Sequence, residues 1–204
     1  MARRSRGPRS AAALAGGAGV AVGITAHRAD SQETVLRILI TADRVLLDDP
    51  GASLQAVADA AGVDRTTVHR RFTSRASLIR ALAERAEAEL LAAIEQVAAT
   101  PPSTAAIARL ARLLVVAKTR WAFGIRVVAT DPSRPRGAAE LCGYLDRCRA
   151  DGVLTAAVPT SWLVASLLEI LRLAADEVRD GSASADEAAS LAQQVFLNGY
   201  GGAS

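Results

Sequence analysis

The sequence predicts an all-α protein. Half of its 204 residues are hydrophobic, and apolar residues recur at three- and four-residue spacings along most of the chain. Strand-like alternation of β-branched residues is hard to find. Aromatic residues make up only 3%, so the core must be built mainly from Ala, Leu and Val. With 22% charged residues, this composition excludes a chain that is disordered throughout. The length is enough for one medium domain, or for two small ones sharing an interface.

Charge divides the chain. Residues 1–80 hold 12 Lys and Arg against 7 Asp and Glu, whereas residues 81–204 hold 12 against 14. Only the first part is suited to meet a polyanion. At the N-terminus, Arg3, Arg4, Arg6 and Arg9 precede an uncharged run, Ala11–Ala26. That is the outline of a signal peptide. The run is mostly Ala and Gly, however, and it is shorter than the roughly 20 residues of a spanning helix. We therefore expect residues 1–30 to form a flexible basic arm able to touch DNA phosphates. Export, or a true start downstream of part of this stretch, is the other reading. No other segment is apolar and long enough to span a bilayer, so no membrane partner is expected.

The first helix is expected from about Ser31 to Leu47. Val35, Ile38, Leu39, Ala42, Val45 and Leu46 form one stripe, while Arg37, Asp43 and Arg44 are expected off it. Asp48-Asp49-Pro50-Gly51 ends it. Ser53 is the N-cap of a short second helix that buries Leu54, Val57, Ala58 and Ala61. Gly62 stands where a tight turn needs positive φ. Asp64 then caps a third helix, Arg65 to about Phe72. Val68 and Phe72 share its inner face, and Arg65, Thr66, His69, Arg70 and Thr73 its outer face. Two helices joined by so tight a turn form a helix-turn-helix, and the outer face has the size to enter a major groove. Five arginines and no acid lie between Arg65 and Arg80. Arginine reads guanine bidentately or clamps phosphates.

Residues 31–80 resemble the DNA-binding domain of the TetR/AcrR family of bacterial transcriptional regulators. Ser53–Val63 is similar to that family's second helix and turn, Asp64–Phe72 to its recognition helix, and Thr73–Leu78 to the start of its fourth helix. The likeness implies DNA contacts from Ser53, Arg65, Thr66, Thr67, His69, Arg70 and Arg75. Two positions depart from the family pattern: His69 stands where Tyr is usual and Arg75 where Lys is usual. Both usual residues serve phosphate contacts, and His and Arg can still donate hydrogen bonds.

The remaining chain reads as a helical sensor and dimerisation domain. Ser74 can cap a long fourth helix to about Ala99, with Leu78, Leu82, Ala86, Leu90, Ala93 and Val97 on its apolar side. Pro101-Pro102 stop it, and Ser103 can cap the next helix. Further helices are expected at about Thr119–Thr130, Gly137–Ala150, Pro159–Val178 and Ala185–Leu197. The total is about nine, the number the resemblance implies. Expected boundaries are an arm over 1–30, a helix-turn-helix domain over 31–76 and a ligand-binding and dimerisation domain over 77–204.

The Pro159–Val178 helix is apolar nearly all round, so it must be covered on two sides. A homodimer is therefore expected, pairing the last two helices in a four-helix bundle with Leu163, Leu167, Leu171, Leu191 and Val195 at the interface. Arg120, Trp121, Phe123, Tyr144 and Trp162, with Arg126, are the candidate pocket liners, being large or polar within apolar helices. Few aromatics argue against an aromatic cage for a cation. Cys142 and Cys148 lie about 120° apart on a helix, so free thiols are expected, as in a reducing cytoplasm. No nucleophile–base pair, phosphate-cradling loop or metal triad appears, so neither an enzyme nor a cofactor is expected.

The expected function is a dimeric, cytoplasmic transcriptional repressor, released from a near-palindromic double-stranded DNA operator by an unidentified small molecule. The alternative is a non-sensing helical protein, either a constitutive DNA-binding scaffold or an exported chain.

Overall fold

The computed structural model describes residues 17–130, 136–155 and 158–202. Nine helices lie among them: α1 Gly17–Asp48, α2 Leu54–Ala61, α3 Arg65–Arg71, α4 Arg75–Ala98, α5 Thr104–Arg120, α6 Ala122–Ala129, α7 Arg136–Ala150, α8 Thr160–Arg179 and α9 Ala185–Tyr200. The chain divides into two compact units, Met1–Arg37 and Ile38–Ser204.

In the first unit the expected flexible arm gives way to helix from Gly17 onward. Alanine is the best helix former and no proline interrupts residues 17–37, so the local preference extends α1 well upstream of Ser31. Residues 1–16 lie outside the described part.

In the second unit, serine caps set the helix starts. The Ser53 hydroxyl accepts from the Ala56 N–H at 3.2 Å, and that of Ser103 from the Ala106 N–H at 3.1 Å. Ser74 with Ser77, and Ser184 with Glu187, form reciprocal capping boxes. Asp64 holds the N-cap position of α3, but its side chain makes no cap bond. Instead its carbonyl accepts from the Thr67 and Val68 N–H groups. Trp121 separates α5 from α6 and is fully buried.

α5 is the central helix, packed by α4, α8 and α9. The core joins Leu110, Leu114 and Val115 of α5 to Leu141 and Leu145 of α7, Leu163, Leu167 and Leu171 of α8, and Phe196 of α9. This corrects the expected interface: Leu163, Leu167 and Leu171 are at most 1% exposed within one chain, so they cannot meet a second copy. Their periodicity marks a buried face, and the chain's own α5, α7 and α9 cover it. The outer face is a different set, Trp162 and Leu173 of α8 with Leu191 and Val195 of α9, each more than half exposed. Both cysteines are free thiols, Cys148 in the core and Cys142 half-buried.

Candidate functional site: a DNA-reading face and an internal cavity

The reading face is made by α2, the turn and α3. Gly62 takes φ +63°, the left-handed conformation that closes α2 in a tight turn. The Val63 N–H reaches the Ala58 carbonyl at 3.1 Å, satisfying an orphan group of the helix end. Val57, Ala58, Val68 and Phe72 are buried, which fixes α3 against the rest of the domain. Arg65, Thr66, His69 and Arg70 are consequently exposed, and Thr67 is half-buried beside them. Ser53, also exposed, uses a lone pair as the cap of α2 and keeps its hydroxyl hydrogen free to donate.

Arg75 departs from expectation. Its Nε donates to the Ala52 carbonyl at 3.1 Å, and its guanidinium also contacts the Pro50 carbonyl. It sits at the first position of α4, beside the α1–α2 loop. It therefore braces that loop, with its remaining guanidinium N–H groups left for other acceptors.

The second feature is a cavity of about 760 Å³ among α1 and α4–α8. Leu90 and Ile94 of α4, Leu114 of α5, Ile125 of α6, Leu141 of α7 and Leu168 of α8 form its apolar wall. Its size is that of small-molecule pockets. Lys118, Arg126, Glu87, Glu169, Arg172, Asp176 and Arg179 supply its polar groups. On α8 the charges answer one another: Arg172 meets Glu169 at 2.8 Å and Asp176 at 2.7 Å, and Arg179 contacts Asp176. Burial holds the Lys118 ammonium below the ordinary lysine range, and Glu169 offsets only part of that effect.

None of Arg120, Trp121, Phe123, Tyr144 and Trp162 lines this cavity; of the residues singled out from the sequence, Arg126 does. Trp121, Phe123 and Tyr144 are core residues, and burial raises the Tyr144 phenol. Arg120 is exposed and pairs with Glu89 at 3.6 Å. Trp162 is exposed and donates its indole N–H to the Tyr200 hydroxyl at 3.0 Å. Large side chains in this protein fill the core, and small and medium aliphatic ones leave the space.

Asp43, expected off the apolar stripe, is the one charged side chain buried among the described residues. From α1 it accepts the Gly124 N–H at 2.8 Å and the Phe123 N–H at 3.1 Å, and so caps α6, which has no side-chain cap of its own. Next to this clasp, α6 approaches α4 so closely that a Cβ on Gly124 would come within 2.9 Å of the Leu82 carbonyl oxygen. The signal is present in the spacing: Leu39, Asp43 and Leu46 fall at i, i+4 and i+7. Lys118 likewise continues the stripe of Ile107, Leu110 and Leu114.

A helix-turn-helix with an exposed basic face, carried on a helical body around a cavity, is an arrangement suited to meet DNA. Residues 50–82 match the model for bacterial regulatory proteins of the tetR family. A 79-residue segment is 44% identical to the HTH-type transcriptional repressor LfrR of Mycolicibacterium smegmatis; it covers 38% of this chain and 42% of that protein. The crystal structure of LfrR from Mycobacterium smegmatis in complex with proflavine aligns with TM-score 0.60 at 25% identity, over 82% of this chain and 97% of that one. The TetR-family regulator PfmR from Thermus thermophilus aligns with TM-score 0.64 at 20% identity, over 79% and 97%, and so shares the fold. Residues 50–82 are thus similar to the tetR family's DNA-binding segment, and the helical body shares the fold of solved regulators of that family. No described helix is long and apolar enough to cross a membrane.

Proposed function

We propose that the chain is a dimeric transcriptional repressor whose grip on operator DNA is loosened by a small molecule in the α4–α8 cavity. The observation that carries this reading is α4. It is one uninterrupted helix that follows directly on α3 and whose first residue, Arg75, donates to the Ala52 carbonyl beside α2, while Glu87, Leu90 and Ile94 line the cavity twelve to nineteen residues later. A ligand that tilts α4 must move α3. The Asp43 clasp offers a second route, since α6 lines the cavity and α1 holds its first turn. The 44%-identical segment of a repressor and the proflavine complex of LfrR support repression and ligand response.

Dimerisation rests on the outer faces of α8 and α9. Trp162 and Leu173 lie three turns apart on one side of α8, and Leu191 and Val195 one turn apart on α9. Such a patch calls for cover. A two-fold dimer would present two reading helices to successive major grooves, hence a near-palindromic site read in the bacterial cytoplasm.

DNA fragments selected by the purified protein supply the operator for the test. Arg65→Ala is expected to cost roughly 1–3 kcal/mol on operator DNA and less on random DNA. Equal losses on both would make Arg65 a phosphate clamp, and no retained sequence would end the repressor reading. Leu191→Asp with Val195→Asp should give monomers in sedimentation that remain folded; an unchanged dimer would remove α9 from the interface.

A further inference from the structure

The cavity has a chemical preference written in its charges. Among the described residues, three acids and four bases line it. Glu169 and Asp176 are already engaged by Arg172 and Arg179 on their own helix, and Glu87 is not free. Lys118 differs. It stands on α5 at the cavity wall, half-buried, and among the described residues it makes no hydrogen bond or ion pair. Glu169, the acid that favours its charge, is held at 2.8 Å by Arg172, whose positive charge disfavours the ammonium. A desolvated ammonium with no acceptor is costly, and a carboxylate is its natural complement. Arg126, exposed and stacked 5.1 Å over the Phe123 ring, adds a second positive charge to the lining.

The rest of the lining sets the shape of the partner. Among the described residues it contains no aromatic side chain, and the wall is mainly Leu, Ile, Val and Ala. A cage for a cation would need aromatic faces or a free acid. A flexible aliphatic body needs neither, and it gains from burial at about 25 cal/mol per Å².

We propose that the cavity receives an aliphatic carboxylate, with its anionic head on Lys118 and its chain among Leu90, Ile94, Leu114 and Leu141. This deepens the sensor reading given above and rests on it for its regulatory meaning, but not for the binding itself.

The test uses three probes of equal chain length and different head: decanoate, decan-1-ol and decyltrimethylammonium, titrated calorimetrically into the full-length protein. Decanoate is expected to bind at least ~10-fold more tightly than either of the others. Lys118→Met should bring decanoate down to the level of the alcohol while leaving the alcohol unchanged, and Lys118→Arg should restore the preference. If Lys118→Met does not fold, the head-group series on the unaltered protein and the Lys118→Arg variant decide. Equal binding of all three probes, tighter binding of the cation, no heat from any of them, or a carboxylate preference that survives Lys118→Met would each overturn the proposal. Release of operator DNA by the cation or the alcohol would in that case leave the sensor reading standing. Conversely, Lys118-dependent decanoate binding with no change in operator affinity upholds the carboxylate site and overturns the sensor reading.

Discussion

Between Ser53 and Phe72 every structural decision is made within a few residues. Ser53 caps a helix three residues on, Gly62 closes it, and Val68 and Phe72 on one face expose Arg65 and His69 on the other. The cavity is assembled by the opposite rule. Its described walls come from residues as far apart as Leu47 and Arg179, contributed by six helices, and of these the sequence singles out Arg126 alone as a liner. The two features therefore rest on different kinds of information. The reading face is specified by capping, turn conformation and a short amphipathic stripe, whereas the cavity is what remains once distant helices have packed. Damage should follow the same division, spreading from the helical body and staying confined in the reading unit.

The largest expected effect lies in the body. Leu171 is fully buried, in a core shared by α5, α7, α8 and α9. Leu171→Asp places an unpaired carboxylate there, a cost above about 4 kcal/mol. We expect loss of the cooperative thermal transition and of helical circular dichroism, with no soluble monomer. A folded monomer from Leu171→Asp would break the comparison, because it would return Leu171 to the subunit interface that its periodicity suggests.

That periodicity shows where legibility ends. The helix order, the Ser53, Ser74 and Ser103 caps, the Gly62 turn and the exposed side of α3 can be read from spacing, because each is a local consequence of residue type. Spacing also locates the apolar faces of α8, but it cannot say which of them the chain covers itself. Leu167 and Leu173 look alike in sequence, and only the position of α5 and α9 decides between them. The pocket is hidden for a related reason. Bulk at Trp121 and Tyr144 suggests ligand contact, whereas in a core poor in aromatics bulk is what fills the interior. Resemblance assigns Arg75 to phosphate, but its proximity to the Pro50 and Ala52 carbonyls is a tertiary fact.

The Asp43 clasp joins a helix of the reading domain to a helix of the cavity, and its removal is the next test in size. Asp43→Ala leaves the Phe123 and Gly124 N–H groups buried without an acceptor, a loss of about 1–3 kcal/mol in chemical denaturation at neutral pH. Asp43→Asn keeps one acceptor oxygen, enough for only one of the two N–H groups, and should recover part of it. Burial is the main influence on the Asp43 carboxyl and raises it above its ordinary 3.8, against the lowering effect of the Gly124 and Phe123 N–H groups. Between the unfolded and folded pKa values the folded chain therefore holds a proton that the unfolded chain has lost. Stability from this group is greatest below about 3.8 and falls as pH rises through the folded value. Denaturation midpoints followed upward from about pH 3.5 should show that decline in the unaltered protein and lack it in Asp43→Asn. Equal slopes would mean that the carboxyl titrates alike in both states.

The smallest effect is expected in the turn, and it sharpens the comparison most. Gly62 is exposed, with φ +63° and ψ 38°, and a Cβ built on it meets nothing within 4 Å. Packing therefore contributes nothing to the cost of Gly62→Ala. What remains is the intrinsic penalty of the left-handed conformation for an L-residue, about 1 kcal/mol. Asn tolerates that region better, so Gly62→Asn should lose less than Gly62→Ala. Both variants should keep the Leu171 core and the cavity intact, with unchanged near-ultraviolet dichroism from Trp121. The penalty should appear in hydrogen exchange as reduced protection of α2 and α3 alone. If Gly62→Ala instead lowered protection through α5 and α8, the reading unit would share its stability with the whole body, and the division between local and distributed information would not hold for this chain.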